Sequence, residues 1–167
     1  MVWLLLERRF ASALGLVIFA GLTDWLDGFA ARRLGVAGKL GAALDPLADK
    51  TLLVAVFLTL GVVGLVPLWL LALVVARDVV IVTGAALLRT LRGIRKFPPT
   101  MHGKISTFFQ IVFVLLVLIV AAVPSAFLIV LRQIALGCTA VFTGVSGFDY
   151  VRIGILMAKA PAPAKRV

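Results

Sequence analysis

Four stretches of this chain contain no Asp, Glu, Lys or Arg: residues 10–23, 51–76, 105–131 and 133–148. An α-helix needs about 20 apolar residues to cross the hydrocarbon of a bilayer, and two of the stretches exceed that. In lipid, a segment must satisfy its own backbone N–H and C=O groups, so long apolar runs become helices. The composition agrees: 63% of the 167 residues are hydrophobic and 14% are charged, more apolar surface than one water-soluble domain buries. Disorder requires far lower hydrophobicity, and a disulfide framework requires more than the single Cys138.

Pro67 and Pro124 fall where turns divide the longest runs, which predicts five spans at about 10–28, 41–63, 67–91, 104–123 and 126–149. The expected fold is an all-α polytopic transmembrane bundle. Residues 1–157 form one membrane domain, and 158–167 form a mobile basic tail rich in Pro and Ala. Met1 to Leu6 is too short to cross and has neither the basic start nor the cleavage site of a signal peptide. It is expected to be the tail of a helix whose beginning is absent from the chain.

Cations are retained on the cytoplasmic side of membranes. Twelve of the seventeen lie in three places: Arg32, Arg33 and Lys39; Arg89, Arg92, Arg95, Lys96 and Lys104; and Arg152, Lys159, Lys165 and Arg166. The turns at 64–67 and 123–125 carry none, so the three basic segments are expected in the cytoplasm. Arg8 and Arg9 fall on the other side. The net charge of +10 is read as topology and as attraction to anionic lipid headgroups, not as a sign of nucleic acid.

Only seven acids occur, and Asp24, Asp27, Asp45 and Asp49 fall within one short segment at the cytoplasmic end of the first two spans. On a helix, Asp24 and Asp27 share a face with Gly28 and Ala31, and Gly41, Asp45 and Asp49 recur every four residues. An Asp within a membrane costs roughly 2.5–3.5 kcal/mol, and four close carboxylates also repel one another. Carboxylate oxygens with no His or Cys between residues 24 and 49 suit hard cations, so two Mg²⁺ ions, or Mn²⁺, are the expected counter-charge. The small Gly28, Ala31 and Gly41 leave room beside such ions for a diphosphate and its base, and Arg32 supplies a cation for a phosphate oxygen.

The run Asp24-x-x-Asp27-Gly28-x-x-Ala31-Arg32, eight residues, then Gly41-x-x-x-Asp45-x-x-x-Asp49, resembles the CDP-alcohol phosphatidyltransferase pattern at every fixed position. The resemblance extends through Pro46, Lys50, Arg77-Asp78 and the segment from Gly103 to Gln110. It implies a six-span membrane enzyme, usually dimeric, that moves a phosphatidyl group from CDP-diacylglycerol to an alcohol and releases CMP. It implies that Asp24, Asp27 and Asp45 hold two Mg²⁺ ions with Asp49 near them, and that Asp49 is the general base. Asp27, Gly28, Ala31, Arg32 and Gly41 would meet the nucleotide. The later segments are most similar to the CMP-forming cardiolipin synthases and phosphatidylglycerophosphate synthases, which implies a glycerol-type acceptor, phosphatidylglycerol or glycerol 3-phosphate. Arg77 and Lys104 are the candidate residues for the acceptor's phosphate, with an interhelical ion pair as the other reading of Arg77.

Arg77 and Asp78, being adjacent on a helix, are expected to point apart and to need separate partners. His102 is expected to be exposed at the interface, and Trp3, Trp25 and Trp69 to sit in interfacial belts. A cation transporter is the competing class, but it calls for acids near the midplane and often for an internal repeat, whereas the four motif acids crowd one end and the sequence contains no repeat. An inactive scaffold is opposed by the intact motif positions.

Overall fold

The computed structural model describes residues 1–34, 41–92 and 100–159; within its helices, the side chains at 24, 25, 27–34, 41–49, 91, 92 and 159 lie outside the description. Among the described residues there are six helices and no strand: α1 (Val2–Leu6), α2 (Phe10–Leu34), α3 (Gly41–Val62), α4 (Leu68–Arg92), α5 (Met101–Ala122) and α6 (Ala126–Lys159). Pro67 and Pro124 lie in the turns that precede α4 and α6, as their missing N–H groups and fixed φ require.

Two helices outrun their predicted spans. α2 continues to Leu34 and α6 to Lys159, because charge ends a lipid-embedded segment without ending a helix, and the next proline lies beyond each end, Pro46 after α2 and Pro161 after α6. Among the described residues, three helices are long and apolar enough to cross a membrane: Leu68–Thr90, Met101–Ala122 and Ala126–Ala158. Among the described residues, α2 and α3 carry shorter apolar stretches, Phe10–Thr23 and Lys50–Val62.

Large apolar side chains face outward along the bundle, among them Phe19, Trp69, Phe108, Phe127 and Phe148. That outer surface suits lipid, and the protein is an integral membrane protein. Trp3 and Trp69 are exposed at the end that holds the α3–α4 and α5–α6 turns, as an interfacial belt requires.

The apolar core occupies that same half, which we call the turn end. Val56, Phe57 and Leu60 of α3 meet Leu70 and Val74 of α4 and Phe113, Val117 and Leu118 of α5, and the buried Leu5 joins α1 to the cluster. The Phe57 and Phe113 ring centroids stand 6.2 Å apart. Lipid tails are as apolar as these side chains, so close packing rather than transfer from water holds the helices together. Gly61 illustrates it: a Cβ there would stand 2.7 Å from Leu71 Cδ2, so the missing side chain lets α4 approach α3. Gly64 closes the α3–α4 turn at φ +82°, where a side chain would be strained.

α6 packs chiefly against α5 and α4. Its buried stripe, Ala135, Thr139, Thr143, Ser146 and Tyr150, repeats every three or four residues and is mostly small or polar. The facing stripe on α5 begins with Gly103, Ser106 and Gln110, so the half of the bundle away from the turn end is sealed by hydrogen bonds more than by apolar contact.

Candidate active site

The site is built on helical register. α2 and α3 are helical across all the motif positions, so Asp24, Asp27, Gly28 and Ala31 fall on one face of α2, and Gly41, Asp45 and Asp49 on one face of α3. The side chains of these residues and of Arg32, and the connection 35–40, lie outside the described residues. A connection this short predicts that the two helices are antiparallel neighbours around one cleft, an expectation that falls outside the described residues too. Among the described residues α2 packs on α1 and α5, while α3 packs on α1, α4 and α5, so α1 and α5 bridge the two acid-bearing helices.

Lys50, one residue beyond Asp49, begins a polar chain that crosses the bundle. Its Nζ stands 3.1 Å from Asp78 Oδ1 on α4, and the same oxygen accepts from Arg77 Nη1 at 2.8 Å. The expectation that Arg77 and Asp78 need separate partners is therefore corrected. Their Cβ atoms diverge, but the long arginine side chain bends back past its neighbour, and one carboxylate serves both cations.

Arg77 is buried, and its remaining donors tie α4 to two other helices. Nε and Nη2 donate to Ser146 Oγ at 3.2 and 3.0 Å, and Nη2 donates to the Gly103 carbonyl at 3.3 Å. The guanidinium carbon lies 5.5 Å from the Tyr150 ring centre, within cation–π range. Arg77 thus joins helices through hydrogen bonds to uncharged acceptors, and its ion pair, with Asp78, lies within α4 and not between helices. Lys104, its suggested companion, is exposed one residue after the carbonyl that Arg77 holds.

Thr100 caps α5: its side chain accepts from the Gly103 N–H at 3.0 Å, and its own N–H donates to the Tyr150 hydroxyl at 3.2 Å. His102 is exposed as expected, and it also pairs through Nδ1 with Asp149 Oδ2 of α6. Deeper in the seam, the Ser106 and Thr143 hydroxyls stand 3.1 Å apart, Gln110 Nε2 donates to both, and Thr139 donates to the Phe109 carbonyl. No buried side-chain N or O among the described residues lacks a partner, which is how polar groups become tolerable inside a membrane.

As residue types, four carboxylates spaced three and four apart within α2 and α3, with no softer ligand among residues 24–49, are the donors that a hard divalent cation takes.

A family model for CDP-alcohol phosphatidyltransferase matches residues 1–145, which contain the whole motif, the Lys50–Asp78–Arg77 chain and α5. The chain belongs to that family. Among similar proteins, the CMP-forming cardiolipin synthase of Rattus norvegicus is 35% identical over 91% of this chain and 55% of its own length. The Homo sapiens protein of the same name is 34% identical over 91% of this chain and 56% of its own. The CDP-diacylglycerol–glycerol-3-phosphate 3-phosphatidyltransferase of Bacillus subtilis is 36% identical over 81% of this chain and 69% of its own. The chain thus spans little more than half the length of the mammalian relatives. No solved structure matches it.

Sequence reasoning missed Ser146, Tyr150 and the pairing of Lys50 with Asp78. A signal was present: Thr139, Thr143, Ser146 and Tyr150 recur at helical spacing inside an otherwise apolar run, a pattern that marks the face a transmembrane helix turns toward its neighbours.

Proposed function

We propose that this protein moves a phosphatidyl group from CDP-diacylglycerol to a glycerol-type alcohol, phosphatidylglycerol or glycerol 3-phosphate, with release of CMP. The observation that carries the proposal is the uninterrupted helical register of α2 and α3 through every motif position in a chain of this family. The acceptor class rests on the names of the similar proteins.

Asp24, Asp27 and Asp45 would hold two Mg²⁺ ions, with Asp49 beside them and Mn²⁺ as an alternative metal. Bound there, the ions supply charge neutralisation for the diphosphate. Asp49 takes the proton of the acceptor hydroxyl, the acceptor oxygen bonds to the phosphorus that carries diacylglycerol, and the bond from that phosphorus to the CMP oxygen breaks. Arg32 offsets the charge on the departing CMP. Gly28, Ala31 and Gly41 accommodate the cytidine by being small, and Asp27 shares that contact. Lys104, exposed on α5, would meet an acceptor phosphate, while Arg77 holds the backbone carbonyl beside it. The motif end would face the cytoplasm, where CDP and a soluble acceptor arrive, and the working form would be a homodimer.

The test is to supply purified protein in liposomes with labelled CDP-diacylglycerol, Mg²⁺ and a panel of phosphatidylglycerol, glycerol 3-phosphate, inositol phosphate and serine, then to identify the lipid formed. CMP release only with a glycerol-type acceptor supports the assignment, and release with none of the panel refutes it. Asp49→Asn is expected to lower CMP release by about 10²–10⁴-fold, the range of general-base catalysis, while Mg²⁺-dependent CDP-diacylglycerol binding persists. Full turnover in that variant removes Asp49 from the role.

A further inference from the structure

We propose that Arg132 binds the phosphate of a phospholipid headgroup in a cavity at the turn end of the bundle, the end opposite the motif aspartates. The cavity, of about 300 Å³, is walled by Gly64 and Leu65 of the α3–α4 turn, Phe113 of α5, and Arg132, Gln133 and Leu136 of α6. Arg132 lies six residues beyond the first residue of α6, about 9 Å along the axis at 1.5 Å per residue. It is half-buried among apolar walls at that depth.

A cation in that position needs an anion, and the chain provides none among its described residues. The ion pairs there are Lys50–Asp78, Arg77–Asp78 and His102–Asp149, none of which involves Arg132. Glu7, the acid on the α1–α2 link, belongs to a part of the chain that packs on α2 and α3 and not on α6. An anion from outside the chain can supply that counter-charge.

The chemistry of the cavity selects a phosphate on a lipid. Guanidinium presents a planar fork that matches two phosphate oxygens, and the Gln133 amide adds a neighbouring donor. Leu65, Phe113 and Leu136 offer nothing to the hydration shell of a free ion. Ile129, Val130 and Trp69, within four residues of the cavity lining along the chain, are exposed and apolar, a surface along which acyl chains can lie. A second cavity at the same end contains Arg8, Arg9 and Ser12, so this end of the bundle carries arginines at two points.

The experiment uses the full chain, delipidated in detergent, with thermal unfolding followed as four probes are added: phosphatidic acid, diacylglycerol, phosphatidylcholine and inorganic phosphate. Native mass spectrometry counts the lipids retained. Wild-type protein is expected to be stabilised by phosphatidic acid and, more weakly, by phosphatidylcholine, but not by diacylglycerol or by inorganic phosphate at equal concentration. Arg132→Gln is expected to need at least tenfold more phosphatidic acid for the same stabilisation and to retain one fewer lipid per chain, whereas Arg132→Lys keeps most of the response. Leu136→Trp, which fills the cavity and keeps the cation, is expected to weaken the response too. Equal responses to diacylglycerol and phosphatidic acid, an equal response to inorganic phosphate, or unchanged phosphatidic acid affinity in Arg132→Gln or Leu136→Trp would each overturn the proposal.

Discussion

Gly103 is the position where one added methyl group most directly tests the polar seam. A Cβ there would stand 2.8 Å from the Tyr150 hydroxyl, 3.0 Å from Thr100 Oγ1 and 3.1 Å from Tyr150 Cε2, so the tyrosine must move. Tyr150 has little freedom: it is 8% exposed, its hydroxyl accepts from Thr100 N–H, and its ring lies against the Arg77 guanidinium. Inserting a methyl group into a packed interior costs about 1–3 kcal/mol, and displacing the hydroxyl forfeits a hydrogen bond of about 0.5–1.5 kcal/mol. The helix recovers about 0.5–1 kcal/mol from replacing glycine by alanine. Gly103→Ala should therefore destabilise the protein by about 2 kcal/mol, a fall in Tm of roughly 4–8 °C for a chain of this size. The assay is thermal unfolding in detergent, extended to a double-mutant cycle with Tyr150→Phe. Removing the hydroxyl relieves the closest clash, so the double variant should be more stable than the sum of the single effects by about 1 kcal/mol. A Tm equal to wild type in Gly103→Ala, or strict additivity in the cycle, would show that Tyr150 does not close over Gly103.

Two further substitutions probe the interhelical ties. Asp78→Asn removes the carboxylate shared by Lys50 and Arg77; because Arg77 is buried, the uncompensated charge should cost about 3–5 kcal/mol, read as loss of a sharp unfolding transition, whereas Lys50→Gln, at a half-exposed site, should cost under about 1 kcal/mol. Thr143→Val deletes the hydroxyl that Ser106 and Gln110 share, and should lower stability by about 0.6–1.7 kcal/mol, the range measured for hydrogen bonds between membrane helices; no change in Tm would mean that the pair finds other partners.

Much of this architecture was legible because lipid simplifies the code. Charge-free runs located the helices, and Pro67 and Pro124 located the turns, since proline removes a backbone N–H that a helix in hydrocarbon needs. The same reasoning set the far ends of α2 and α6 too early, because a charged residue such as Asp149 marks where lipid stops and leaves the backbone free to continue. The motif was readable in the sequence because carboxylates are costly there and their spacing matches one helix face. The ties around Arg77 were not readable: which serine or carbonyl meets a guanidinium depends on how three helices are rotated against one another, and Gly103, Ser146 and Tyr150 are far apart along the chain.

α6 is 34 residues long, about 51 Å at 1.5 Å per residue, against hydrocarbon about 30 Å thick. To lie wholly in the acyl layer it would have to lean by more than 50°, beyond the roughly 40° limit seen for membrane helices. Several of its turns must therefore stand in the headgroups or in water, and Asp149, Arg152 and Lys159 near its C-terminus mark that portion. The helix acts as a post rising past the bilayer surface beside the His102–Asp149 pair, so whatever docks or departs at that rim must do so alongside a rigid charged column.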